Sequence, residues 1–125
     1  ELLAAVHIPL VPDRQVRFRK IGTRRALAIA KVLVAVAWRP GEAPDGPAPW
    51  QDVRVALGSV AARPIRVPRT ESVLEGRVPD AATAEEAART IMGEISPIDD
   101  VRSTAAYRRT VTGRVLRRII LDATS

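Results

Sequence analysis

Lys31-Val32-Leu33-Val34-Ala35-Val36-Ala37-Trp38-Arg39 decides the fold. The run is apolar and rich in β-branched residues, so it reads as a central strand. Pro40-Gly41-Glu42-Ala43-Pro44-Asp45-Gly46-Pro47-Ala48-Pro49 follows and is a loop by composition. It lies between two strand-like runs, which makes it a long hairpin connection. Asp52 to Ala61 gives the second strand, with Val53, Val55 and Leu57 on one face. Gly58 marks a bulge or a close backbone approach there, and Ile65 to Val67 reads as a continuation after Pro64.

Working upstream, Gln15 to Lys20 alternates, with Val16 and Phe18 on one side and Arg17 and Arg19 on the other. That is the pattern of a half-buried strand. Leu2 to Ile8 reads as a short strand stopped by Pro9 and Pro12. Thr23 to Ala30 stays open between helix and strand, because its Ala and Leu content favours helix.

Downstream the period changes. Thr70 to Leu74 reads as a short helix with Gly76 as its stop. Thr83 and Glu86 have capping-box spacing, and Ala84, Ala87, Ala88, Ile91, Met92 and Ile95 recur at helical intervals. Ser96-Pro97 breaks that helix. A last helix is expected from about Ser103 to Leu121, with Tyr107, Val111, Val115 and Ile119 in line and Leu116 and Ile120 broadening the stripe. Strands first and helices second argue an α+β domain: a small antiparallel sheet packed on one face against about three helices.

The 125 residues suit a single domain able to bury a core without disulfides or metals. Hydrophobic residues are 46% and aromatics only 3%, so the core is expected to be aliphatic. The absence of cysteine excludes disulfides, iron–sulfur ligation and thiolate chemistry within these residues, and it fits the cytoplasm. No apolar run is long enough to span a membrane as a helix. The chain starts at Glu1 and runs straight into an apolar segment, so we expect it to be a cut product with sequence missing upstream. A net charge of +6 permits nucleic-acid binding. The arginines are spread along the whole chain, however, without interleaved stacking aromatics, so no nucleic-acid partner is expected. Subunit contacts, where Arg pairs bidentately with carboxylates, would use the same charge.

Catalytic chemistry finds few candidates. His7 is the only histidine, with no orienting carboxylate for a triad and no ligand set for a metal. Gly22 stands alone, so neither a G-x-G-x-x-G nor a Walker loop is present. Asp99-Asp100 is the one carboxylate pair in a loop. Adjacent side chains at a helix start usually diverge, which favours a role at the positive helix end and in arginine pairing over a catalytic dyad. With Tyr107 at zero on a helical wheel, the apolar stripe spans about 0° to 220° and Arg108 falls near 100°. An arginine there must find a carboxylate or lie at an interface. We therefore expect a structural clamp of Arg108 with Asp99 and Asp100.

Four stretches together resemble a known family: Phe18-Arg19-Lys20-Ile21-Gly22-Thr23-Arg24-Arg25-Ala26-Leu27-Ala28-Ile29-Ala30, with its lysine, turn and paired arginines; Arg54 to Arg66, similar to the family's "ALGGVAPTPVR" strand; Glu71 to Gly76, similar to "EALLEG"; and Ile98 to Arg109, similar to "DDVRGSAEYRR". The family is the C-terminal domain of the FAD-binding (medium) subunit of molybdenum hydroxylases, the group of carbon monoxide dehydrogenase and xanthine dehydrogenase. The resemblance implies residues 1–125 as a single C-terminal domain, with an upstream FAD-binding module that carries the pyrophosphate loops. It implies FAD contacts at Leu3, through its side chain or backbone near the isoalloxazine, and at Lys20 as a polar contact. From spacing alone Lys20 also reads as a solvated charge at a strand end. The implied partners are an iron–sulfur small subunit and a molybdopterin large subunit. FAD would take electrons from the clusters and pass them to an external acceptor in this flavoprotein oxidoreductase; the domain alone would do no complete chemistry. Ser59 departs from the pattern, standing where a second Gly is common. That implies little change of fold but an altered tight contact. A non-enzymatic assembly module without flavin binding is the alternative reading of the same residues.

Overall fold

The computed structural model describes residues 1–123, in which four strands precede three helices: β1 (Gln15–Ile21), β2 (Val32–Pro40), β3 (Trp50–Gly58), β4 (Ile65–Arg66), α1 (Pro68–Leu74), α2 (Ala81–Glu94) and α3 (Ala105–Asp122). The strands form one antiparallel sheet in the order β1-β2-β3-β4. β2 is a central strand, as its continuous apolar run requires.

The register assigns the two faces. Val34 lies opposite Leu57 and Val36 opposite Val55, and all four side chains are buried. They pack with Leu74, Ile91, Leu116, Ile119 and Ile120 of the helices into one aliphatic core. Near its start β3 carries an extra residue, so Asp52 and Val53 together oppose Trp38. Asp52 takes a φ of 49° there. The bulge resets the alternation, which lets Trp50 and Val53 both face inward; Trp50 stacks on Trp38 with ring centroids 4.1 Å apart.

β4 is only two residues long and pairs with β3 at Ala56 and Leu57. Carboxylates on and after α1 serve the exposed remainder of the β3 edge. Glu75 accepts hydrogen bonds from the Asp52 and Val53 amides, and Glu71 accepts from the Val55 amide at 2.9 Å. Glu71 also takes a bidentate pair from Arg66. The backbone donors of that edge thus find acceptors without a longer strand.

Several expectations need correction. Residues 2–8 form no strand, and 23–30 is a bent loop, neither helix nor strand. Ile65–Arg66 does not continue β3 but turns back and pairs with it. The bulge sits at Asp52, while Gly58 is a close approach: a Cβ there would lie 2.8 Å from Leu33 Cδ1. The capping box is absent. Asp80 caps α2 by accepting from the Thr83 amide, and Glu86 pairs instead with Arg77. β1 alternates as read, but neither side is buried. Opposite Val34 and Val36 it places Arg19 and Arg17, and Val16 and Phe18 lie on the uncovered face, 55% and 54% exposed. The buried line of α3 runs through Arg108, Thr112, Leu116 and Ile119, about one residue round from the expected one; Tyr107 is partly exposed.

Candidate functional site

The loop between α2 and α3 and the start of α3 build the best-organised polar cluster. Thr104 caps α3 by accepting from the Tyr107 amide. Asp99 accepts from the Ala105 amide, so it serves the helix end. Asp100 is the hub: it accepts from the Arg102 and Ser103 amides and from the Arg102 guanidinium. Arg108 is 3% exposed and donates through Nη2 to Asp100 at 2.7 Å. Its Nη1 donates to the Ser59 carbonyl on the far side of a long loop closure.

The structure thus brings Asp100 and Arg108 together and leaves Asp99 to the helix cap. The Arg102 side chain, then backbone amides and Arg108, hold the Asp100 carboxyl well below the ordinary carboxylate range despite its partial desolvation. Ser59 completes the clamp and was not visible as a partner, because its contribution is a carbonyl. It sits at φ 63°, a conformation that glycine adopts without strain.

Arg108 also borders a hollow of about 370 Å³ with Ser59, Val60, Ser96, Ile98 and Arg102. Its Nε is buried without a hydrogen-bond acceptor among the described residues. The clamp joins the end of β3 to α3, and nothing in it is arranged as a nucleophile and base.

Lys20 lies elsewhere. In the sheet it stands opposite Leu33, which in turn stands opposite Gly58. That row, like Phe18–Ala35–Ala56, belongs to the face away from the helices. The Lys20 ammonium has no carboxylate partner among the described residues. Leu3 is 85% exposed in the irregular segment before β1. A flavin needs donors for its pyrophosphate and walls for its ring. Here one ammonium on an open face and one exposed leucine fit a minor share of those contacts. No group of three or more His, Cys, Asp or Glu that could hold a metal is present among the described residues, and no described helix is long and apolar enough to cross a membrane.

A shallow groove of about 520 Å³ runs between the 23–31 loop and the clamp loop, lined by Arg24, Leu27, Ile29, Lys31, Val101 and Arg102 among others. Lys31 sits over the Tyr107 ring at 5.2 Å, and Leu27 holds a φ of 51°.

Comparison with known proteins places these features in a family context. Residues 17–123 match the model of the CO dehydrogenase flavoprotein C-terminal domain. The chain is 35% identical over 72 residues to the nicotine 6-hydroxylase medium subunit of Paenarthrobacter nicotinovorans, covering 58% of this chain and 25% of that protein. It is 26% identical over 113 residues to the glyceraldehyde dehydrogenase medium chain of Sulfolobus acidocaldarius, covering 89% of this chain and 37% of that one. Among solved structures, quinoline 2-oxidoreductase from Pseudomonas putida 86 superposes with a TM-score of 0.76 at 25% identity, over 90% of this chain and 38% of that chain. Reconstituted CO dehydrogenase from Oligotropha carboxidovorans superposes with a TM-score of 0.77 at 23% identity, over 94% and 40%; at that identity the likeness speaks for the fold. The chain spans well under half the length of each of these relatives.

Proposed function

Since the chain belongs to the CO dehydrogenase flavoprotein C-terminal domain family, we propose that it closes one side of the flavin site in the FAD-binding medium subunit of a molybdenum hydroxylase. The family match over residues 17–123 carries this reading. In it, an upstream module of the same polypeptide holds most of the FAD, including the pyrophosphate. The flavin supplies the redox chemistry; the protein binds and orients it.

This chain's own part is small and specific. Lys20 offers a fixed positive charge at the end of β1, suited to a polar group of the flavin. Leu3 offers an apolar or backbone contact from the segment that leads into the sheet. The Asp100–Arg108–Ser59 clamp holds the end of β3 against α3, and Gly58 at that end of β3 meets Leu33 of β2, the cross-strand neighbour of Lys20. Substrate oxidation would occur on a molybdopterin subunit and electrons would arrive through an iron–sulfur subunit, with an external acceptor removing them from FAD in the cytoplasm.

The test is a visible spectrum of the polypeptide extended upstream to a natural start codon. Flavin absorbance, with FAD released on denaturation, is the expected outcome, together with weaker retention in Lys20→Ala. A folded but colourless protein that also refuses added FAD would overturn the flavin role and leave an assembly module.

A further inference from the structure

The clamp leaves its arginine with donors to spare. Arg108 is 3% exposed. Its Nη1 and Nη2 donate to the Ser59 carbonyl and the Asp100 carboxylate, and a guanidinium has more donors than these bonds use. Its Nε–H in particular is shielded from solvent and finds no acceptor among the described residues. A buried charged donor without a partner costs more than an ordinary lost hydrogen bond, and native interiors leave few of them. This one belongs to the wall of the hollow between the β3–β4 turn and the loop before α3. The hollow measures about 370 Å³, room for far more than a single water at ~30 Å³ each. Val60, Ala61, Ala62 and Ile98 give it an apolar side, and Asp100, Arg102 and Ser96 give it a polar one.

We infer that this hollow binds a small monocarboxylate. An oxygen of the ligand takes the donors of Arg108 that the clamp leaves over, and its apolar body lies against Val60, Ala61, Ala62 and Ile98. Charge decides the class. Asp100 set against Arg102 and Arg108 leaves one net positive charge on the lining, which a monoanion neutralises. A phosphate dianion would exceed that charge beside the Asp100 carboxylate and would set polar oxygens against the apolar side without partners. The guanidinium is weakly hydrated and shaped for carboxylates, so it gives up water readily to such a ligand. None of these residues is among those proposed to touch flavin, and the inference stands apart from that reading. When filled, the hollow joins the turn after β3 to the loop before α3 and to α3 itself, so the ligand stabilises the fold by mass action.

Saturation-transfer NMR and thermal unfolding of the full-length polypeptide, with sodium butyrate as the probe, test this. Butyramide and inorganic phosphate serve as controls at equal ionic strength. Saturable butyrate binding in the millimolar range is the expected result, the range open to a ligand of so few atoms. The unfolding temperature should rise with butyrate concentration, and both controls should bind at least about tenfold more weakly. Ile98→Trp narrows the hollow from a position 70% exposed and leaves the clamp bonds in place. Arg108→Lys keeps the charge but lacks the guanidinium. Each variant, folded by circular dichroism, should lose butyrate affinity by about tenfold or more; where Arg108→Lys does not fold, Ile98→Trp decides alone. No saturable butyrate binding overturns the inference. So does equal binding of butyramide, which makes the contact merely apolar, or of phosphate, which makes it unselective for anions. Butyrate affinity unchanged in folded Ile98→Trp places the ligand elsewhere and overturns it too.

Discussion

Ser59 occupies a left-handed backbone conformation, φ 63°, and its carbonyl accepts from the buried Arg108. For a residue with a Cβ that conformation costs about 1–2 kcal/mol. Glycine would remove the strain but loses part of the gain through a freer unfolded chain, by about 0.4–1 kcal/mol. Ser59→Gly is therefore expected to stabilise the domain by about 1 kcal/mol, read as a higher urea midpoint with unchanged slope, while Ser59→Ala should gain nothing. A lower midpoint in the glycine variant would show that the serine side chain, not the backbone, matters there. The example shows what single residues disclose before a structure is known. Arg108 could be placed by its angle on the helix, because a charge within an apolar stripe demands a partner. The identity of one partner, a carbonyl from a distant loop, leaves no mark in side-chain chemistry. Asp99 and Asp100 are indistinguishable by type, and only the geometry of the helix start sends one to the cap and the other to the arginine.

Elements were legible where their period was strong. β2, the long hairpin, α2 and α3 follow from runs of apolar residues at strand or helix spacing. Residues 2–8 were misread because an apolar run bounded by prolines does not by itself supply a strand to pair with, and β1 was misread because alternation separates two faces without fixing that either is buried. The same ambiguity affects α2 against α3, where an interior glycine looks like a weak point. Gly113 is instead a close approach: a Cβ would stand 2.8 Å from Met92 Cγ, 2.9 Å from its Sδ and 3.2 Å from the Ala88 carbonyl oxygen. Alanine in an open helix gains about 1 kcal/mol over glycine. Here the methyl must displace Met92 and press on backbone, and overpacking costs about 1–3 kcal/mol. Gly113→Ala should therefore lower stability by about 1 kcal/mol on balance, measured by thermal unfolding, and pairing it with Met92→Ala should ease the steric clash. Stabilisation by the single change would mean that the α2–α3 contact is looser than its geometry.

At the scale of the whole molecule, charge and acidity are coupled. The chain holds 20 Lys and Arg against 14 Asp and Glu, and among the described residues eight of the arginines are tied into carboxylate pairs spread over the fold. Asp52 anchors the sheet bulge, Asp80 caps α2 and Asp100 holds Arg108. All three carboxyls lie below their ordinary value of 3.8. At Asp52, Arg14 and Arg54 outweigh the desolvation that acts in the other direction; at Asp80 the Thr83 amide dominates; at Asp100 the Arg102 side chain does. A group that binds its proton less readily folded than unfolded stabilises the fold when ionised. Its contribution is fully present above the unfolded value and disappears as pH falls through the folded one. Stability should thus be nearly flat from about pH 6 to 7 and decline below about pH 4, as these supports fail together and unpaired cations repel. Asp100→Asn separates the clamp from general acid effects. The variant should be less stable than the parent at neutral pH, and the gap should close progressively as pH is lowered, because protonation makes the parent resemble it. Denaturant titrations at a series of pH values read this directly. A gap that stays constant down to pH 2 would show that Asp100 acts through shape alone, and would remove the charge from the account of how α3 is held to the sheet.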